Sequence, residues 1–161
     1  MPFLFLIQTT SAQSSDNQKK SMIHQYFAAI DGPKDSTIGL AKILSPKFII
    51  INEQQKLNSR KDLEAYFVKS QKNHKQYHFP RIFKIEAPLK IKVIVHFQEW
   101  MSNKSKSDLM EYNFSFKKIN ENFKISKVTY KYLEEAPRTT SPTSSVEANL
   151  WHANYYKNLK N

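Results

Sequence analysis

The spacing of apolar residues changes near His74, from three and four residues to strict alternation. Before His74, the spacing predicts three helices and a strand. The first helix ends at Asp31-Gly32-Pro33, and Ser59 is suited to cap the third. The predicted bounds are Asp16 to about Ile30 for the first helix, Ser36–Leu44 for the second and Phe48–Ile51 for the strand.

Beyond His74 the alternation predicts four antiparallel strands. They cover about Tyr77–Ala87, Lys90–Trp100, Leu109–Lys118 and Phe123–Leu133, with a polar loop over Met101–Asp108. The chain has only two glycines, so we expect asparagine at turn positions that need a positive φ. Helices followed by antiparallel strands predict an α+β fold, with three N-terminal helices on a curved, mainly antiparallel sheet.

The register of the strands identifies the face that should lie inside. In Lys90–Trp100 the odd positions are apolar, and in the next strand the even positions are. A three-residue turn over Asn120–Asn122 would place Phe114 opposite Val128 and Tyr112 opposite Tyr130 on that same face. We expect Phe79, Phe83, Ile85 and Arg81 to join it from the first of the four strands.

Several polar residues are predicted on this inner face. They are Arg81, Glu99, Tyr112 and Tyr130, joined by the helix residues Tyr26 and Tyr66. Buried polar groups need partners, so Glu99 and Arg81 either satisfy each other, hold the polar end of a ligand, or reach water at the strand ends. The opposite face, which includes Lys92 and His96, is predicted to be a solvated basic surface or a contact for an acidic partner.

The 161-residue chain is basic, with 25 Lys and Arg against 14 Asp and Glu, a net charge of +11. The basic residues are spread along it and only three are arginine, so we do not expect nucleic acid as a partner. The absence of cysteine excludes disulfides and thiolate metal sites. His74 and His78 are four residues apart at a predicted helix-to-strand transition, which favours a solvated loop over a metal site.

The two ends of the chain are predicted to lie outside the domain of residues 16–135. Residues 1–15 contain a short apolar run before Ser11-Ala12, which fits either a clipped signal peptide or a disordered N-terminus. If residues 1–12 are a signal, the protein is exported, periplasmic or secreted, and otherwise it is cytoplasmic. Residues 136–145 predict a linker and residues 146–161 a C-terminal amphipathic helix. We expect no membrane span.

Residues 16–135 resemble the NTF2-like superfamily, in its SnoaL-like and ketosteroid-isomerase-like branch. The resemblance rests on the order of elements and on one specific stretch, Ile23–Asp31 in the first helix. Three secondary matches are Leu44–Asn52 leading into the first strand, Ser59–Leu63 at the third helix and Asn122–Val128 in the last hairpin. The resemblance implies a cone-shaped α+β fold with a ligand cavity.

The isomerase resemblance implies two hydrogen-bond donors, which fall on Tyr26 and Tyr112. Its general base falls on Asn52, whose amide has no basic lone pair at neutral pH, so we do not expect steroid isomerase chemistry. The resemblance to the dehydratase branch is weaker. The pocket histidines of that branch have no inward counterpart in the predicted register, which turns His96 outward.

The leading hypothesis is a cone that binds a small, mostly apolar molecule with a polar end, without a cofactor. Tyr26, Tyr66, Tyr112 and Tyr130 would line it. Asn52 and Glu99 would supply polar contacts, and Arg81 would neutralise Glu99 or a ligand anion. One alternative is an isomerase, cyclase or lyase that uses Glu99 as its base with Tyr26 and Tyr112 as donors. Another is a protein-interaction adaptor, or a homodimer, that uses the sheet face or the terminal helix.

Overall fold

The computed structural model describes residues 4–32, 37–52, 55–70, 74–101 and 104–133, in which helices cover one face of a six-stranded sheet. The predicted linker (136–145) and terminal helix (146–161) lie outside the described residues. No helix among the described residues is both long enough and apolar enough to cross a membrane.

Helix α1 spans Leu4–Asp31, so it begins well before the predicted start at Asp16. Neither glycine nor proline occurs within it, and nothing in that stretch therefore ends the helix. Its buried face carries Ile23, Phe27 and Ile30, at the predicted helical spacing. Helix α2 spans Thr37–Ile43.

Helix α3 spans Arg60–Ser70 and begins at the predicted cap. The main-chain N–H of Asp62 donates to Ser59 Oγ at 3.1 Å, and Ser59 Oγ donates to the Asp62 carboxylate at 2.6 Å. The bond to Ser59 Oγ satisfies a main-chain N–H that has no acceptor within the first turn of the helix. One turn in, Leu63 is buried against the core.

The sheet has the strand order β2-β1-β6-β5-β4-β3. Its strands are β1 (Leu44–Ile51), β2 (Lys56–Leu57), β3 (His74–Ala87), β4 (Lys90–Met101), β5 (Lys104–Ile119) and β6 (Asn122–Tyr132). Only β1 and β6 pair in parallel, so the predicted α+β fold with a mainly antiparallel sheet is confirmed. The predicted loop over Met101–Asp108 is wrong, because β4 and β5 stay paired out to Met101 and Lys104.

The predicted inner face is confirmed on β4 and β5. Val93 and Val95 are 0% exposed, and Tyr112 and Phe114 are 2% and 1% exposed. Val93 lies directly opposite Tyr112. Burial of these alternating side chains under α1 fixes the register, since a slip of one residue would turn all of them outward.

The β5–β6 hairpin reaches the predicted register by a different route. Its turn has two residues, Asn120 and Glu121, both with positive φ, so the expected three-residue turn is wrong, although asparagine does take a positive φ. Phe116 pairs with Ile125 and Ser115 with Lys127, so Ser126 is an extra residue on β6. The two differences cancel, and Tyr112 lies opposite Tyr130 as predicted.

Strand β3 contains a bulge at Arg81, which the sequence analysis did not anticipate. Pro80 pairs with Val95 and Ile82 with Ile94, so Arg81 is the extra residue. The bulge reverses the alternation along β3. Phe79 therefore pairs with His96 on the outer face, and Arg81 is exposed, so both were predicted on the wrong face. Beyond the bulge, Phe83 packs on the core as predicted.

The outer face of the sheet is less solvated than predicted. His96 points away from the cone, as expected, but it is only 5% exposed. Its Nε2 lies 2.6 Å from Ser107 Oγ, and Ile94 and Leu109 form a small apolar cluster on the same side. Lys92, by contrast, is partly exposed and pairs with Glu86.

Candidate functional site

A cavity of about 270 Å³ opens between the inner face of the sheet and the helices. Aromatic and aliphatic side chains line most of it. The lining residues are Tyr26, Ile30, Ile50, Leu57, Leu63, Tyr66, Gln76, His78, Phe97, Glu99, Met110, Tyr112, Tyr130 and Tyr132. Five residues that the sequence predicted for the site, Tyr26, Tyr66, Glu99, Tyr112 and Tyr130, therefore come together here.

The two other predicted site residues do not line the cavity. The Asn52 Nδ2 donates to Tyr130 Oη at 2.8 Å, and its Oδ1 accepts from the Gln55 main-chain N–H at 2.5 Å. Arg81 is exposed at the β3 bulge, with its guanidinium 5.6 Å from the centre of the Phe79 ring. Asn52 thus orients a tyrosine, and Arg81 does not neutralise a charge inside the cone.

His78 is the site residue that the sequence analysis missed. It lies within β3 and not in a solvated loop, and its side chain is 5% exposed. Because the Arg81 bulge reverses the alternation, His78 faces the cavity opposite Phe97. The expectation that no histidine points inward is therefore wrong.

The imidazole of His78 bridges Asp31 and Tyr112. Its Nδ1 lies 2.6 Å from Asp31 Oδ1, and its Nε2 lies 3.0 Å from Tyr112 Oη. A carboxylate only accepts hydrogen bonds, so the short contact assigns the ring proton to Nδ1. In the neutral imidazole, Nε2 then keeps its lone pair and accepts from the Tyr112 hydroxyl. This is the orientation that a histidine base requires.

Two aromatic rings pack against the imidazole of His78. Phe27 of α1 stacks on it with the ring centres 5.2 Å apart, and Phe97 of β4 lies at 4.8 Å. The ring is therefore positioned by packing as well as by its two hydrogen bonds.

The tyrosines form a second feature of the cavity. The rings of Tyr112 and Tyr130 are stacked with their centres 4.8 Å apart. Burial raises the pKa of Tyr26, Tyr112 and Tyr130 above the usual value for a phenol. All three hydroxyls therefore remain protonated, and able to donate hydrogen bonds, through the neutral range.

Glu99 and Gln76 contribute the polar side chains away from His78. Glu99 on β4 lies directly opposite Gln76 on β3. On the inner face, this pair is the neighbour of the pair formed by His78 and Phe97. Gln76 Nε2 donates to the Ile30 carbonyl at 3.2 Å, which links this part of the sheet to α1. Among the described residues, no group of three His, Asp or Glu side chains is placed to hold a metal ion.

Comparison of structures identifies the fold. No protein-family model matches this sequence, and no curated protein matches it. A structure from Novosphingobium aromaticivorans, proposed to be an aromatic ring hydroxylase, matches with a TM-score of 0.66 at 11% identity over 80% of this chain and 94% of its own. The hexachlorocyclohexane dehydrochlorinase LinA-type3 from Novosphingobium barchaimii matches with a TM-score of 0.60 at 14% identity. That match covers 81% of this chain and 92% of the dehydrochlorinase. The fold is NTF2-like.

A third match is a protein from Novosphingobium aromaticivorans that is proposed to be a scytalone dehydratase. Its TM-score is 0.61 at 8% identity, and the match covers 82% of this chain and 91% of that one. Identities this low bear on the fold alone. The chemistry of the NTF2-like cone depends on the side chains that line it in this chain.

The NTF2-like cone combines three chemical features in one cavity. A histidine with a carboxylate behind it can accept a proton. Buried phenols such as Tyr26 can donate hydrogen bonds to oxygen or to developing negative charge. The aliphatic walls exclude water and favour an apolar molecule.

Proposed function

We propose that this protein binds a small, mostly apolar substrate in its cone and removes a proton from it, with His78 as the general base. The observation that carries the proposal is the hydrogen-bonded chain from Asp31 through His78 to Tyr112, which ends inside the cavity. Proton removal followed by loss of a leaving group is an elimination, so the proposed class is a lyase.

In the proposed step, a substrate C–H group replaces the Tyr112 hydroxyl at Nε2 of His78. Nε2 takes the proton, and the electrons of the broken C–H bond form a carbon–carbon double bond as the leaving group departs with its own electron pair. Asp31 stabilises the imidazolium that forms. His78 then returns the proton to water or to the leaving group.

The hydroxyls of Tyr26 and Tyr66 are suited to assist the departure of the leaving group. Both line the same cavity as His78. Because burial keeps Tyr26 protonated, it can donate a hydrogen bond to a departing group or to an oxygen that gains charge. The structural neighbours include a dehydrochlorinase and a proposed dehydratase, whose names denote loss of hydrogen chloride and of water, and this agrees with an elimination.

Glu99, the base of the alternative formed from sequence, is less suited to this role than His78. Glu99 belongs to the cross-strand pair next to that of His78 on the inner face. The ring of His78 is held by a carboxylate and by two aromatic rings. We therefore assign Glu99 to binding. The homodimer and the adaptor role remain predictions, which size-exclusion chromatography with light scattering can address.

The test uses 5-nitrobenzisoxazole, a planar apolar probe that opens to a coloured phenolate when a base removes the proton from C3 of its isoxazole ring. We expect the protein to accelerate this reaction, and His78→Gln to reduce kcat/KM by about 10²-fold or more. His24→Gln is the matched control, because His24 is an exposed residue of α1 outside the cavity. A His78→Gln protein as active as the His24→Gln control would show that His78 is not the base.

A further inference from the structure

The part of the cavity beyond His78 presents two hydrogen-bond acceptors side by side. Gln76 and Glu99 are direct partners across β3 and β4, and both line the cavity. Side chains at such positions start about 5 Å apart, which is close enough for both to contact one ligand group.

Gln76 and Glu99 each provide an acceptor oxygen. Gln76 Nε2 uses one of its two hydrogens on the Ile30 carbonyl of α1, and the amide oxygen of Gln76 is an acceptor. The Glu99 carboxylate only accepts. A ligand group that contacts both of these oxygens must therefore donate hydrogen bonds.

An anionic group fits this arrangement less well than a donor does. Glu99 contributes a carboxylate to the wall, and the Asp31 carboxylate lies directly behind His78. A carboxylate or phosphate of a ligand only accepts hydrogen bonds, so it cannot bond to the Gln76 amide oxygen or to the Glu99 carboxylate.

We propose that the substrate carries a hydroxyl or amine, which binds between Gln76 and Glu99. This proposal rests on the proposed function, because it takes the cone as the substrate site. Gln76 is two residues from His78 along β3, so the two side chains start about 7 Å apart.

Three probes with a common p-tolyl body test the proposal: 4-methylbenzylamine, 4-methylbenzyl alcohol and 4-methylbenzoate. Binding to the full-length protein is measured by titration with detection by NMR. We expect the amine and the alcohol to bind, and the benzoate to bind at least about tenfold more weakly than the amine. Benzoate binding as tight as that of the amine would overturn the proposal.

Substitution of Glu99 tests whether this residue causes the preference for the amine over the benzoate. In Glu99→Gln we expect the affinity for the amine to fall about tenfold and the affinity for the benzoate to rise, with the alcohol changed least. Glu121→Gln removes the same charge from a side chain that is 93% exposed and outside the cavity, so it should leave all three affinities unchanged. Equal effects of the two substitutions would mean that the probes respond to overall charge, which would overturn the proposal.

The two proposals can fail separately. The binding preference does not need the His78 proton, so His78→Gln should still prefer the amine to the benzoate. If the preference is observed but His78→Gln leaves the 5-nitrobenzisoxazole rate unchanged, only the lyase proposal fails. If His78 is required for the rate but the benzoate binds as well as the amine, only the donor-group proposal fails.

Discussion

The carboxylate of Asp31 accepts two hydrogen bonds from His78, one from ring Nδ1 and one from the main-chain N–H, each at 2.6 Å. Asp31 is the last residue of α1, and His78 belongs to β3 at the edge of the sheet. The main-chain N–H that Asp31 satisfies would otherwise have no strand partner on that side. One carboxylate therefore attaches the helix end to the sheet and selects the proton position of the imidazole.

Asp31→Asn is predicted to impair proton removal without unfolding the protein. If the asparagine amide group turns toward Nδ1, it donates, and the ring proton then moves to Nε2, where it blocks the base. We expect kcat/KM for 5-nitrobenzisoxazole to fall about 10²-fold or more. Nitrogen-15 NMR of the imidazole should show the proton on Nδ1 in the natural protein and a shift toward Nε2 in the variant. If Asp31→Asn changes neither the tautomer of the imidazole nor kcat/KM, Asp31 has no role in proton removal.

Tyr112→Phe is predicted to cost little stability. The phenyl ring keeps the stack on Tyr130 and the edge contact with Phe27 at 5.0 Å, and only the hydrogen bond to His78 is lost. We expect the free energy of unfolding to fall by about 1 kcal/mol. Tyr112→Ala, which also leaves a cavity in the core, should cost about 3–5 kcal/mol. Urea denaturation measures both, and equal losses would mean that the hydroxyl, and not the ring, carries the contribution.

Most of the fold could be predicted because its signals are local. Alternation along β4 and β5 identifies the buried face without knowledge of any partner. The Ser59 cap is a signal within four residues. The pairing of Tyr112 with Tyr130 was predicted correctly because the shorter turn and the extra residue Ser126 cancel in the register.

The pair of Asp31 and His78 could not be predicted because its signals are not local. Asp31 and His78 are 47 positions apart, and no spacing rule joins a helix end to an edge strand. The face of His78 also depends on the bulge at Arg81, and extending the alternation of Phe83 backwards past a bulge gives the opposite face. Pro80 was the available signal, since proline within a strand marks an edge or a bulge.

Arg81→Ala is predicted to leave the cavity unaffected. The guanidinium is exposed and lies over the Phe79 ring, whereas the leading hypothesis from the sequence was that it neutralises Glu99 or a ligand anion in the cone. We expect the affinity for 4-methylbenzylamine to stay within twofold, and the free energy of unfolding to change by no more than about 0.5 kcal/mol. Glu99→Gln in the same titration is the control that should change the affinity. A large change on loss of Arg81 would restore the placement that the sequence analysis expected.

Lys19→Met is predicted to destabilise the end of the fold where α1 meets the β3–β4 turn. Lys19 is 1% exposed, and its Nζ donates to the Pro88 carbonyl at 2.5 Å and pairs with Asp16 at 2.6 Å. Methionine keeps most of the apolar stem but loses these contacts. We expect a loss of about 1–3 kcal/mol in urea denaturation. Lys20→Met, at the neighbouring and less buried position, is the control and should change stability by no more than about 0.5 kcal/mol.

Stability is predicted to fall steeply above about pH 10 because of the buried phenols. Burial raises the pKa of Tyr26 and Tyr112 in the folded protein, so the unfolded chain releases these protons first as the pH rises. The unfolded state then binds fewer protons than the folded state, and the free energy of unfolding decreases with pH by about 1.4 kcal/mol per pH unit for each such group. The contribution is fully present below about pH 10. Urea denaturation at a series of pH values measures the slope, and Tyr112→Phe should reduce it by the share of one group. An unchanged slope in that variant would mean that Tyr112 ionises in the folded protein as readily as in the unfolded chain.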